Sequence, residues 1–165
     1  MTNPGLNIRN QKRRGEWAEM RFMARVSELG MTVTKPWGDS APYDVIVECE
    51  GGWLRVQVKS TVSRKNNSYP CTLHGASAPY TKEDFEFIAA YIIPLDIWYI
   101  IPTEAAIRGK EKLYLTPGSP KTRYAPYREA WHLLREKRRA HPAADLCSHC
   151  GRQAHQHEDP TILRS

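Results

Sequence analysis

The chain has 165 residues, enough for one domain with a packed core and a short tail. No apolar run approaches the roughly 20 residues that cross a bilayer, and an Asn- and Arg-rich N-terminus without a hydrophobic stretch argues against a signal peptide. A cytoplasmic protein is expected. Lysine and arginine total 24 against 18 acids, a net charge of +6, which by itself is weak evidence for a polyanionic partner.

In chain order, residues 1–12 read as a flexible basic arm and residues 14–29 as a helix stopped by Gly30. On a helical wheel Ala18, Phe22, Met23, Val26 and Leu29 form one apolar arc, with Arg21, Arg25 and Glu28 opposite. Glu19 falls inside that arc and Glu16 on its edge beside Met20. A carboxylate turned inward needs a partner. An arginine would serve, and so would a metal ion or a water. Residues 31–34 form a short extended segment. Residues 35–42 form a loop made rigid by Pro36 and Pro42. In it, Asp39 either joins a metal's outer shell or, the favoured reading, caps the loop by an Asx-turn. Trp37 either stacks on a base or anchors the loop, the commoner use of a lone tryptophan.

Residues 44–49 and 53–59 alternate apolar and polar side chains around Glu50-Gly51-Gly52 and predict a β-hairpin. With the turn centred near Gly51, Asp44 faces residues 57–59, where opposed Cβ atoms lie about 5 Å apart. Alternation sends Gln57 and Lys59 to one face and Val56 and Val58 to the other. A carboxylate, an amide oxygen and an ammonium then converge on one place, the equipment of metal-assisted phosphodiester hydrolysis. Asp44 and Gln57 are the candidate metal ligands and Lys59 the candidate catalytic amine. With this hairpin downstream, Glu19 becomes a candidate site carboxylate and Glu16 its reserve.

Beyond the hairpin, residues 60–63 continue the strand, 64–68 make a polar loop, and 69–73 a further strand. Residues 81–84 read as a capped helical turn. Residues 85–94 and 97–102 are β-like on either side of Leu95-Asp96, 103–107 look helical, and 112–116 make a short strand. A loop over 117–126 leads to a helix over 127–139 carrying Trp131, Leu133 and Leu134. Asp84, Glu86 and Asp96 are explained by caps and turns, and Cys49 and Cys71 by the core. Basic residues cluster in three runs: Arg9, Lys12, Arg13 and Arg14; Arg55, Lys59, Arg64 and Lys65; and Lys121, Arg123, Arg128, Arg135, Lys137, Arg138 and Arg139. Flanking one metal site, they suggest a groove that tracks phosphates. The tail, residues 140–165, holds Cys147, Cys150, His155 and His157. These offer either a Cys₂His₂ zinc site with a short Cys-to-His gap or a disordered His-rich tail.

The segments Pro36-Trp37-Gly38-Asp39-Ser40-Ala41-Pro42-Tyr43-Asp44 and Val56-Gln57-Val58-Lys59-Ser60 resemble the PD-(D/E)xK nuclease superfamily. Within it the chain is similar to the small group related to intron-encoded homing endonucleases, whose third motif is commonly QxK. Gly15-Glu16-Trp17-Ala18-Glu19 matches the Gly-x-x-[Gly/Ala]-Glu element those proteins carry on the preceding helix. Gln57 stands where the wider superfamily has Glu or Asp, one negative charge fewer. The resemblance covers residues 12–135 and implies an α/β restriction-endonuclease-like core, a mixed central β-sheet flanked by helices, over residues 13–139. It further implies a DNA substrate, Mg²⁺ with Mn²⁺ able to substitute, catalytic roles for Glu19, Asp44, Gln57 and Lys59, 5′-phosphate and 3′-hydroxyl products, and self-association as a homodimer. The competing expectation is a catalytically inactive nucleic-acid-binding module of the same fold, with Gln57 as its symptom.

Overall fold

A computed structural model of the chain describes residues 7–38, 40–74, 79–107 and 111–135. The expected zinc ligands, Asp39, and residues 136–139 of the last predicted helix lie outside the described residues.

The first helix, α1 (Gln11–Glu28), starts earlier than its apolar pattern because Asn10 caps it. The Asn10 side-chain oxygen accepts the Arg13 N–H at 3.0 Å, satisfying one orphan donor and drawing Gln11 and Lys12 out of the expected arm. The helix stops at Gly30, whose φ of 77° is left-handed. There the Gly30 N–H donates to the Ser27 carbonyl and the Met31 N–H to the Val26 carbonyl, a Schellman ending. Ala18, Phe22 and Val26 are the buried stripe.

The remaining elements are β1 (Val33–Thr34), β2 (Val45–Cys49), β3 (Gly52–Thr61), β4 (Tyr69–Thr72), β5 (Phe87–Ile92), β6 (Ile97–Pro102), α2 (Thr103–Ala106) and β7 (Lys112–Leu115). Five strands form one sheet in the order β1-β2-β3-β5-β6, and β4 pairs with β7 in a second sheet of two. Only β3 and β5 run parallel within the large sheet, so the sheet is mixed. The crossover between them passes through β4, which lays the small sheet on one face while α1 covers the other. Two apolar clusters result. One joins α1 to Val45, Val47, Leu54, Val56, Val58, Phe87, Ala89 and Tyr91; the other joins Ile88, Ala90 and Ile92 to Tyr69, Cys71, Leu113 and Leu115. Because β5 is covered on both faces, all six of its residues are buried, and its sequence is an unbroken apolar run.

The predicted helix over 127–139 does not form in the described part. Residues Ala125–Tyr127 and Trp131–Leu134 are separate 3-10 turns, and Glu129 between them sits at φ 50°. A tertiary demand overrides the helical pattern. Edge strand β6 has unpaired groups to satisfy, and Glu129 supplies the partners. Its main-chain N–H donates to the Trp98 carbonyl at 2.9 Å, and its carboxylate accepts the Trp98 N–H and the Trp131 indole N–H, both at 2.7 Å. Glu129→Ala should therefore lower stability by about 1–2 kcal/mol in urea denaturation, two charge-assisted bonds being lost at an exposed residue. An unchanged midpoint would show that this clamp contributes nothing.

Candidate active site

The hairpin turn is tighter than its sequence suggested. Cys49 faces Gly52, leaving Glu50 and Gly51 as the two-residue connection, with Gly51 at φ 84°. Val45 then faces Val56, so Asp44, one residue before β2, stands opposite Gln57. The Asp44 N–H donates to the Val56 carbonyl at 3.1 Å. Its carboxylate oxygen Oδ2 accepts the Val58 N–H at 2.8 Å and Gln57 Nε2 at 2.5 Å. Gln57 itself is buried, only 5% exposed. The amide nitrogen faces Asp44, whereas the expectation was an oxygen turned to a cation shared with it. To offer that oxygen at the same place, the amide must turn over about its last bond.

Lys59 lies two residues along β3, on the face that holds Ile88 and Ala90. Its ammonium donates to the Tyr80 hydroxyl at 2.8 Å and the His74 carbonyl at 3.3 Å. Tyr80 is in turn set edge-on against buried Phe85, ring centroids 5.0 Å apart. Glu19 arrives from α1, the layer on the other face. Its Oε2 pairs with the Lys35 ammonium at 2.5 Å, and its side chain is 17% exposed. Glu16, the reserve candidate, is exposed. The structure thus gathers Glu19, Asp44, Gln57 and Lys59 around the end of β2, where both layers can reach the sheet's rim.

The Asp44 carboxyl feels the charges of Glu19, Lys59 and Lys35. Desolvation is the main force raising the Asp44 carboxyl to about 6, and the negative charge of Glu19 adds to it. The Val58 N–H, Lys59 and Lys35 pull the other way. The hydrogen bond it donates to Glu19 holds the Lys35 ammonium above its ordinary value, helped by the charges of Glu19, Asp44 and Glu16 against the opposing effect of burial. Among the described residues no three His, Cys, Asp or Glu side chains converge as a ready metal cage. The available donors are two carboxylates, an amide and a backbone carbonyl. This all-oxygen set, completed by water, suits a hard cation such as Mg²⁺, and two acids that repel each other are relieved by one.

Two partners were invisible in the sequence. Lys35 precedes a proline in a loop, and Tyr80 follows a run of small residues; neither position carries a pattern. The expected basic groove is also thinner than its charges suggested. Arg55 is held by Glu86, whose carboxylate accepts its main-chain N–H and its guanidinium at 2.6 Å each. Arg123, Arg128 and Arg135 donate to the carbonyls of Ala105, Pro117 and Leu29. Trp37 is fully exposed and anchors nothing, which corrects the favoured reading of it.

A mixed sheet with a hairpin-borne acid and a QxK lysine, facing an acid from the first helix, defines a restriction-endonuclease-like fold of the nuclease class. The chain matches the family described as PD-(D/E)XK endonuclease over residues 9–134. A solved structure, that of the bacterial homing endonuclease I-Ssp6803I, is 32% identical and superposes with a TM-score of 0.66, covering 75% of this chain and 92% of that one. No curated protein matches. The chain belongs to the PD-(D/E)XK endonuclease family.

The raised Asp44 pKa has a consequence for stability. A folded-state value near 6 against 3.8 unfolded means the native protein binds this proton more tightly, so stability falls as pH rises from about 4 to about 6. Asp44→Asn removes the charge but keeps an acceptor for the Val58 N–H. Its melting temperature relative to the parent should therefore climb across that window, a gain on the order of 2 kcal/mol by pH 7. A pH-independent difference between the two proteins would contradict this.

Proposed function

We propose that this protein is a divalent-cation-dependent endonuclease of the cytoplasm that hydrolyses phosphodiester bonds in DNA. Its reaction centre is Asp44, Gln57 and Lys59, with Glu19 in support. The observation that carries the proposal is the desolvated Asp44 carboxylate, fixed by Gln57 and the Val58 N–H and crowded by Glu19 at the rim of the sheet.

Mg²⁺, or Mn²⁺ in its place, would polarise the scissile phosphate and lower the pKa of a water. Asp44 would be its principal anionic ligand, with the Gln57 oxygen and the Val58 carbonyl as neutral ones. Glu19 would hold a water on that cation or a second cation. Lys59 would align the attacking water and offset charge developing on the phosphorane, its reach set by the Tyr80 hydroxyl. The products carry 5′-phosphate and 3′-hydroxyl ends, and a homodimer would bring one such centre to each strand of a duplex.

The rim favours a polyanion. The first turn of α1 contains no acid, and Lys12 and Arg13 there are exposed. Cations at a helix N-terminus are unfavourable by about 0.3–1 kcal/mol each, so their presence there suits an external anion better than the fold. Arg13 stands six residues before Glu19, about 9 Å along the helix axis. Trp37, two residues beyond Lys35 in sequence, offers an uncovered aromatic face.

Nicking of supercoiled plasmid in Mg²⁺ tests the reaction. Asp44→Ala and Lys59→Ala should each lower the rate at least about 100-fold without unfolding the protein. Asp44→Ala cutting as fast as the parent ends this assignment. A parent that binds DNA yet cuts nothing at any Mg²⁺ or Mn²⁺ concentration establishes the inactive binding module instead. Separately, Trp37→Ala should weaken duplex binding in Ca²⁺ roughly tenfold, the loss of one base contact, with Trp37→Phe in between. Equal dissociation constants by fluorescence anisotropy would remove Trp37 from the interface.

A further inference from the structure

The acid pair already has a cation beside it. Lys35 places its ammonium 2.5 Å from the Glu19 carboxylate, and its charge also acts on Asp44 and Glu16. Glu19 is mostly covered, at 17% exposure, whereas Lys35 is half open to solvent, at 50%. Lys59, the other amine nearby, is directed to Tyr80 and His74. Within the described residues Lys35 alone forms an ion pair with Glu19.

The backbone explains how this lysine is held. Thr34, just before it, is paired to Ile46 of β2. Pro36, just after it, confines residue 35 to extended conformations. The Cα is thus fixed beside the hairpin that carries Asp44. The side chain is a flexible four-carbon stem with a compact charge at its end, which can leave Glu19 without moving the chain.

We propose that Lys35 is a resident counter-cation, an ammonium seated on Glu19 that neutralises the acid pair before metal arrives and competes with the divalent ion for that carboxylate. It is a positioning residue, acting through Glu19, and it sets how tightly the site takes metal. The inference rests on the proposed reading only in taking Glu19 and Asp44 as the cation's seat. An ammonium and a divalent ion repel each other at such range, so loading must either displace the lysine or proceed against it. Removing the lysine leaves Glu19 unshielded and should make metal binding tighter, whereas losing a ligand would weaken it.

Calorimetric titration of Mn²⁺ into the full chain without DNA tests this, counting the site that Asp44→Asn abolishes. Lys35→Met and Lys35→Gln should each tighten that site roughly tenfold, a change of 1.4 kcal/mol. Lys35→Arg, which keeps the ion pair, should stay within about threefold of the parent, and Lys112→Met, the same charge lost at an exposed position of the small sheet, should not move it. In a Glu19→Gln background the gain from Lys35→Met should disappear. The proposal is overturned by an unchanged or weaker affinity in Lys35→Met, by an equal gain with Glu19→Gln present, or by no Mn²⁺ site that depends on Asp44. Circular dichroism of each variant separates these results from misfolding. A parent showing the whole pattern yet nicking no plasmid would sink the nuclease reading and leave Lys35 in its role; a nicking enzyme whose metal affinity ignores Lys35 would do the opposite.

Discussion

Everything at the rim of the sheet depends on the register of one hairpin. Cys49 meets Gly52 across a two-residue turn, and this alone brings Asp44 opposite Gln57. Strand side chains have a period of two, so a slip of one residue would send Gln57 and Lys59 into the α1 layer and Val56 and Val58 into the other. The apolar core therefore enforces the polar site. Leu54, Val56 and Val58 are buried against α1, and a one-residue slip would bury none of them there. The energy that fixes the register comes from hydrophobic contact, of the order of 1.5–3 kcal/mol for each fully buried aliphatic side chain. The polar groups on the opposite face inherit that precision without having to supply it.

The same arrangement explains why β3 tolerates a buried glutamine. Parallel pairing places Gln57, on the central strand β3, beside the fully buried Ile88 of β5. A polar group there costs free energy unless it is bonded. Asp44 provides the acceptor, and the Val58 N–H fixes the carboxylate from the neighbouring residue. Each of the three groups thereby satisfies another.

The hairpin, the helix stop at Gly30, the succession of strands and the placing of Asp44 against Gln57 were legible in the sequence, because each carries a local pattern. Alternation marks β2 and β3, a glycine after an apolar stripe marks the end of α1, and an unbroken apolar run marks β5. What was not legible was set by partners distant in sequence. The stretch after Tyr127 has helical spacing, yet Glu129 adopts φ 50° to clamp the edge of β6. The basic runs looked available, yet Arg55 belongs to Glu86 and Arg135 to the end of α1. Asn10 looked like part of an arm until its side chain capped the helix. The ion pair of Lys35 with Glu19 joins positions whose separation matches no period. Composition shows that charges exist; only the fold shows which of them are already engaged.

Gln57 is best understood through the charge balance of the site. Asp44 is already raised to about 6 by burial and by Glu19. A glutamate at position 57, within hydrogen-bond reach of the same oxygen, would put a third anion against these two. Like charges at that range cannot all ionise, and one would hold a proton at neutral pH. An amide avoids this conflict because it donates to Asp44 where a second carboxylate would repel it. With Gln57 an amide, the two acids Glu19 and Asp44 share the site with Lys35, which pairs with Glu19. On the proposed reading the cost would fall on cation binding, which would gain one fewer negative ligand and would draw on Glu19, the carboxylate that Lys35 already holds. A centre built this way would exchange raw metal affinity for a smaller conflict among its own acids.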